Sequence, residues 1–502
     1  MKGSSGAPAI VIVGAGFGGI GLAIALKKAG IESFTILERA AEVGGVWREN
    51  SYPGAACDVA SRMYSYSFEC GWPWTRKFAP QAEILAYLKH CADKYGVARH
   101  IRFGTEVAGA RFDERRAKWR IELAGGGQIE ADVFVSAVGL FNRPRYPDIP
   151  GRESFAGVQF HSARWNHGFD LDGKSVAVIG TGASAIQFVP AIAPRVGKLH
   201  VFYRSPQYVF PRGAAPLPEH PSWWQRQPLA HRLERMRIFA SFESRGRQRG
   251  SPRLTAEGEA RFRAILDTKV RDPELRRKLT PSHPLGCKRT LFSDDWFDAL
   301  QRPNVEVTDA AVEAIVPEGV RTRDGAVRPV DAIIYGTGFT PTDYLTPMRI
   351  MGLAGRDLND AWRGGAEAYL GMTVAGFPNF FMMYGPNTNV VGSIVFMLES
   401  QARYIVDGVR TLARRGPGTM TVREATQRRF NDEIQRRIAA TVMVQDTCHS
   451  YFRDTTGKVT TNWPGWMTEY RLRTRRVRAA DYAFAAAPSV QESQPATPVV
   501  PA

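Results

Sequence analysis

Cysteine is scarce in this chain, and what there is falls in no recognisable pattern. The five cysteines among 502 residues (Cys57, Cys70, Cys91, Cys287 and Cys448) are scattered, odd in number and form no CxxC pair. That argues against a secreted disulfide scaffold, a structural zinc site and a dithiol reductase, and makes a reducing cytoplasm the expected home. No metal site is expected. Long apolar runs are missing too: no window holds 18 unbroken apolar residues, and the opening MKGSSGAPAI has one lysine and no apolar core. Neither a membrane span nor a secretory signal or anchor is therefore expected. Acid is in deficit, with 49 Asp and Glu against 66 Lys and Arg, a formal charge of +17. Such a field attracts polyanions, but the arginines are spread from Arg39 to Arg478 without an RNA-binding signature. A nucleic-acid partner is not expected.

What is present is a chain long enough for two or three domains, with 44% hydrophobic residues and 11% aromatics. One theme recurs: an apolar, β-rich run ending at glycine. Ile10 to Val13 lead into Gly14, Ser175 to Ile179 into Gly180, and Asp331 to Tyr335 into Gly336. Asp132 to Val138, ending at Gly139, resembles the third run in its acid, apolar strand and terminal glycine. This order predicts an α/β fold of two Rossmann-like dinucleotide-binding units, one inserted in the other. The first spans residues 1–150, the inserted one 151–329 with a helical insert at about 216–285, and the first returns over 330–484. The tail, 485–502, is rich in Ala, Pro, Ser and Gln and is expected to be disordered.

The segment IVIVGAGFGGIGLAIALKKAG reads as strand, glycine turn and helix, with Gly14, Gly16 and Gly19 in the GxGxxG positions. The first glycine permits the turn, the second admits a pyrophosphate to the backbone, and the third allows close helix packing. Glu38 follows the next strand, about 20 positions on, where a carboxylate accepts bonds from ribose hydroxyls. The second copy, SVAVIGTGASAIQFVPAIA, carries Gly180, Gly182 and Ala185, but its acid is replaced by Arg204 at the end of the strand Leu199 to Tyr203. A guanidinium there suits a 2′-phosphate, so NADPH is favoured over NADH. Two such sites imply electron transfer between two dinucleotides. Without a redox-active cysteine pair, molecular oxygen is the remaining common acceptor.

The residues around these motifs resemble the class B flavoprotein monooxygenases, and most closely the Baeyer-Villiger monooxygenases, over nearly the whole chain apart from the tail. Gly44-Gly45-Val46-Trp47 is similar to the family's GGTW segment, and Tyr52-Pro-Gly-Ala-Ala-Cys-Asp58 to its YPGARCD loop. Phe155, Gly157, His161 and Trp165 stand in the FxGxxxHxxxW fingerprint, although Asn166 departs from the usual Pro or Asp. Lys288 and Arg289 resemble the family's Lys-Arg pair, YGTGF its ATGF segment with Thr340 where many relatives have Asp, and WPG from Trp463 its C-terminal segment.

The resemblance implies FAD in the first unit and NADPH in the second. It implies that Lys288 approaches the NADPH phosphate, and that Arg289, held by Asp58, stabilises a C4a-peroxyflavin as it attacks a ketone. It also implies that His161 couples cofactor binding to domain movement and is not a general base. Taken by themselves, His161 and Trp165 sit four apart and could stack as packing residues. Phe17, Trp47, Tyr64, Val107, Ala183, Ser184 and Ser205 complete the candidate cofactor contacts. The expected reaction is oxidation of a small ketone by O2 to an ester or lactone. N- or S-oxygenation, and a flavin-binding redox or regulatory protein without oxygenase activity, stay open. The stretch from Pro216 to Gly250, with Trp223, Trp224 and LAHRLERMRIFASF, reads as a basic amphipathic helix. It is expected to form a lid or channel wall more than to contact a membrane. The oligomeric state and the substrate itself are not readable.

Overall fold

The computed structural model describes residues 7–219, 222–223, 227–247, 251–448 and 450–488. Its core is two five-stranded sheets in which every pairing is parallel. Ile10–Val13, four apolar residues all buried, is central in the first. Its order is Phe380–Met382, Val133–Ser136, Ile10–Val13, Phe34–Leu37, Ile101–Arg102. Such continuous apolar strands suit a parallel sheet covered on both faces. Helix Phe17–Lys28 follows the first strand and packs against the long helix Ile394–Arg415. The second sheet runs Val305–Thr308, Lys198–Phe202, Ser175–Ile179, Ala332–Tyr335, Val158–His161.

The two sheets repeat each other bond for bond. Gly14 N donates to Leu37 O at 2.8 Å, and Gly180 N to Phe202 O at 2.8 Å. Both glycines have φ above +100°, which a side chain would resist. Asp132 accepts from Ala9 N at 2.7 Å, and Asp331 from Ser175 N at 2.8 Å. The shared acid thus pins the start of the neighbouring strand.

This equivalence moves one expected boundary. Ala332–Tyr335 does not open the return of the first unit at residue 330, as expected. It pairs with Ser175–Ile179 and Val158–His161 and completes the inserted sheet. The strand that returns to the first sheet is Phe380–Met382. The acid, strand and glycine pattern marks the strand beside each glycine turn, and it says nothing of which unit that strand serves.

A second correction concerns the tail. Ala485 and Ala486 belong to the strand Tyr482–Ala486, paired antiparallel with Gly418–Val422, and Ala487 N donates to Pro417 O at 3.0 Å. Backbone pairing asks nothing of the small side chains, so composition hid it. The expected disorder from residue 489 onward, and Trp224, lie outside the described residues.

The fold also brings together one disulfide that the sequence did not reveal, Cys287–Cys448, with Cα atoms 5.4 Å apart and 161 residues of separation. Scattered spacing cannot reveal a pair that only the fold brings together. The bond also withdraws the support that cysteine usage lent to a reducing compartment. Cys57, Cys70 and Cys91 are free thiols.

Between residues 216 and 285 the described chain holds three helices, Pro228–Arg247, Pro252–Lys269 and Pro273–Leu279. Among the described residues no helix is long and apolar enough to cross a membrane, and no group of three or more His, Cys, Asp or Glu is placed to hold a metal ion.

Candidate functional site

A cavity of about 1730 Å³ runs between the two sheets, lined at the carboxyl ends of their central strands by Val13, Leu37, Ile179 and Phe202. Ligands of doubly wound sheets bind at such ends, and a pocket for one small molecule usually spans roughly 300–1,000 Å³. This cavity is large enough for two dinucleotides and a substrate.

Both glycine turns form its walls. Gly14, Gly16, Phe17, Gly180, Gly182, Ala183 and Ser184 face it. A Cβ on Gly16 would meet only Gly45, at 3.6 Å and beyond, so the protein leaves its outer side free for a ligand. Gly19 is different: its Cβ would fall 1.9 Å from the Gly14 carbonyl oxygen, and it does not line the cavity. It serves helix packing, as the motif predicts. Glu38 lines the cavity while its carboxylate accepts from Ala15 N at 2.7 Å and Ala40 N at 2.9 Å. It therefore braces the glycine turn from the cavity wall. Trp47, Tyr64 and Val107 line the same half, and Trp47 Nε1 donates to the Tyr64 hydroxyl at 3.1 Å. These features fit an FAD.

In the other half, Arg204, Ser205 and Lys288 come together on the wall. Lys288 donates to the Ser205 hydroxyl. Burial, and next the nearby Arg204 charge, lower the Lys288 pKa. Two cations held side by side around a hydroxyl form a receptor for a phosphate dianion, which fits the 2′-phosphate of NADPH.

Between the halves, Arg289 donates to Asp58 at 2.5 Å. The Asp58 charge pushes the arginine pKa further up against the opposing effect of burial, so the guanidinium carries a fixed positive charge. Its side chain is 41% exposed, and that exposure is to the cavity it lines.

The fingerprint residues stand outside this wall. Phe155, Gly157, His161 and Trp165 do not line the cavity. His161 lies edge-on to Tyr146 and Phe339, whereas Trp165 packs on Phe160 and Phe188, so the two do not stack on one another. His161 is fully buried, its Nδ1 accepts from Ala163 N at 3.0 Å, and burial lowers its pKa to about 4. It is a neutral ring at pH 7. Its position beside Phe339 puts it where the chain leaves the inserted sheet.

Several site residues were not legible in the sequence. Gln187, on the helix Ala185–Ile192, reaches across to the first unit, receiving from the Tyr52 hydroxyl at 3.1 Å and donating to Ala56 O at 2.9 Å. Tyr384, at φ +60°, and Tyr451 lie in the electrostatic field of Arg289, and both line the cavity. The disulfide ties the residue before Lys288 to the loop that carries Tyr451. No local motif marks any of these.

The comparisons agree with this geometry. A family model described as pyridine nucleotide-disulphide oxidoreductase matches residues 11–210. A Baeyer-Villiger monooxygenase of Streptomyces coelicolor is 42% identical over 477 residues, covering 94% of this chain and 92% of its own. One of Pseudomonas aeruginosa is 40% identical over 485 residues, covering 95% and 92%. The chain belongs to the Baeyer-Villiger monooxygenase family. Among solved structures, that of OTEMO in complex with FAD and NADP superposes with a TM-score of 0.87 at 28% identity, covering 96% of this chain and all of the other. As a member of the family the protein is an enzyme, a flavoprotein monooxygenase that works with FAD and NADPH. The disulphide in the name of the family model refers to a chemistry whose CxxC pair this chain lacks; what the model matches is the nucleotide-binding frame.

Proposed function

We propose that the cavity oxidises a small ketone to an ester or lactone, with ketone, O2, NADPH and a proton giving the ester, water and NADP+. The observation that carries this reading is the Arg289–Asp58 pair, which sets a permanent cation on the wall between the two glycine turns. Gly14, Gly16 and Glu38 hold FAD, with Phe17, Trp47, Tyr64 and Val107 around it. Gly180, Gly182, Ala183 and Ser184 hold the NADPH pyrophosphate, and Arg204, Ser205 and Lys288 its 2′-phosphate. The bound cofactors supply the electrons and the activation of O2.

What the chain supplies is position and charge. Arg289 lines the cavity, where a preorganised cationic donor would lower the barrier to making a ketone carbonyl tetrahedral, because the carbonyl oxygen then gains negative charge. Asp58 keeps the guanidinium aimed and charged. Tyr384 and Tyr451 line the same cavity, and loss of solvation there raises both phenol pKa values, so each stays neutral at pH 7; the Tyr384 hydroxyl donates to Asn389 Oδ1 at 3.0 Å. The test is NADPH consumption by the purified yellow protein with a panel of ketones, amines and sulfides, products being identified by mass. Esters or lactones are expected. Oxidation of amines or sulfides with every ketone untouched would replace this reading with N- or S-oxygenation.

A further inference from the structure

Helix Pro228–Arg247 has two apolar faces, and only one is covered. Ile238, Phe239 and Phe242 turn inward, with Phe239 packed on Phe396 at 5.1 Å between ring centroids. On the opposite side Leu229 is 55% exposed, Leu233 44% and Met236 63%. At about 100° per residue these three fall in one stripe, with Arg232 on one flank and Arg237 on the other. Both arginines are exposed and make no ion pair among the described residues, while the neighbouring acid, Glu234, is taken by Arg62 at 2.5 Å. Just before the helix, Trp223 is 74% exposed.

We propose that this outer face seats on an anionic lipid surface. Large apolar side chains in one stripe along the first half of a helix, arginines on both flanks and an exposed tryptophan five residues ahead of it are the elements of an interfacial helix. The charge pattern also selects among occupants. A second copy docked face to face about a two-fold axis would set Arg232 and Arg237 against the same cations, whereas phosphate headgroups meet them with opposite charge. The overall charge of +17 adds to this attraction. The same helix lines the cavity with Phe242 and Arg245, about 9 Å along the axis from Met236. Seating the helix on lipid therefore brings the cavity wall close to a store of apolar ketones. The sequence favours a lid or channel wall over membrane contact for this stretch; here one face of the helix serves each.

The holoenzyme is tested by co-sedimentation with vesicles of phosphatidylglycerol and phosphatidylcholine in equal parts, and with vesicles of phosphatidylcholine alone. Wild type is expected to sediment with the anionic vesicles, and less so as salt is raised. Leu233→Glu/Met236→Glu should lower the partition coefficient at least about tenfold. Arg232→Gln/Arg237→Gln should lower it about fivefold per arginine on the anionic vesicles only. NADPH oxidation with a water-soluble ketone should be unchanged in both, which shows that they are folded. Absence of wild-type binding would overturn the proposal, as would equal binding by wild type and both variants. Light scattering that shows Leu233→Glu/Met236→Glu turning a dimer into a monomer, with vesicle binding unaltered, would assign the face to a second copy and overturn it too.

Discussion

Arg289 of the inserted unit donates to Asp58 of the first unit at 2.5 Å, so the ion pair crosses the seam between the two nucleotide-binding units at the wall of the cavity. Arg289→Ala removes the cation and leaves the glycine turns untouched. Ketone oxidation should fall about 100- to 1000-fold, the usual cost of losing one oxyanion donor. The protein should stay yellow and still oxidise NADPH, with the electrons going to hydrogen peroxide. Asp58→Ala should show a weaker form, because it only aims the guanidinium. Product and peroxide measured against NADPH consumed would decide it, and wild-type coupling in Arg289→Ala would refute the assigned role.

Arg204 and Lys288 make a separate prediction about the nucleotide. Arg204→Ala should raise KM for NADPH about 10- to 100-fold, the worth of a charge-assisted hydrogen bond, and leave KM for NADH nearly as it was. Steady-state kinetics with both nucleotides checks this, and equal kcat/KM for the two in wild type would contradict the phosphate site.

Gly16 and Gly19 should fail in different ways. A side chain at Gly16 finds room in the protein but occupies the cavity, so Gly16→Val should purify folded and colourless. At Gly19 even a methyl group would overlap the Gly14 carbonyl, so Gly19→Ala should lose folded protein altogether. Circular dichroism with flavin absorbance separates the two outcomes.

The glycines, Glu38 and Arg204 were readable because a turn or a strand end marks each locally, whereas Lys288 and Arg289 were readable only through the family resemblance; all but Gly19 line the cavity. The acids Asp132 and Asp331 were equally visible, yet their strands could not be allotted to a unit, because sheet membership depends on pairings far apart in the chain. Gln187, Tyr384, Tyr451 and Cys448 were not readable at all. Each reaches the site from a segment more than 90 residues from its partner there, and nothing in its own neighbourhood distinguishes it.

The Cys287–Cys448 bond closes a long loop across the seam, and a bond over more than about 100 residues stabilises by roughly 5 kcal/mol in the chain-entropy account. Cys448→Ser should therefore lower the thermal midpoint in oxidising buffer. A reductant should bring wild type down to the variant and leave the variant unmoved. Because Cys287 adjoins Lys288, KM for NADPH should rise as well. A midpoint that is the same in both proteins with and without reductant would show that the bond does not form in solution.

Buried His161 gives stability a pH dependence of determinable sign. Its folded pKa is lowered to about 4 by burial, whereas the unfolded chain titrates at about 6.5. Above pH 6.5 both states are neutral and the difference contributes nothing. As pH falls below 6.5 the unfolded state takes up a proton that the folded state refuses, so folding loses free energy until about pH 4, where the folded ring also protonates. The total loss is about 3 kcal/mol. His283, also buried and lowered to about 4, adds a slope of the same sign. The thermal midpoint should fall from pH 6.5 to 4, and His161→Gln, which cannot protonate, should fall less steeply over that range while keeping Arg289-dependent ketone oxidation measurable. If the wild-type and His161→Gln slopes coincide, the ring is not held neutral in the folded protein, and the placement of His161 as a buried residue at the exit from the inserted sheet is wrong.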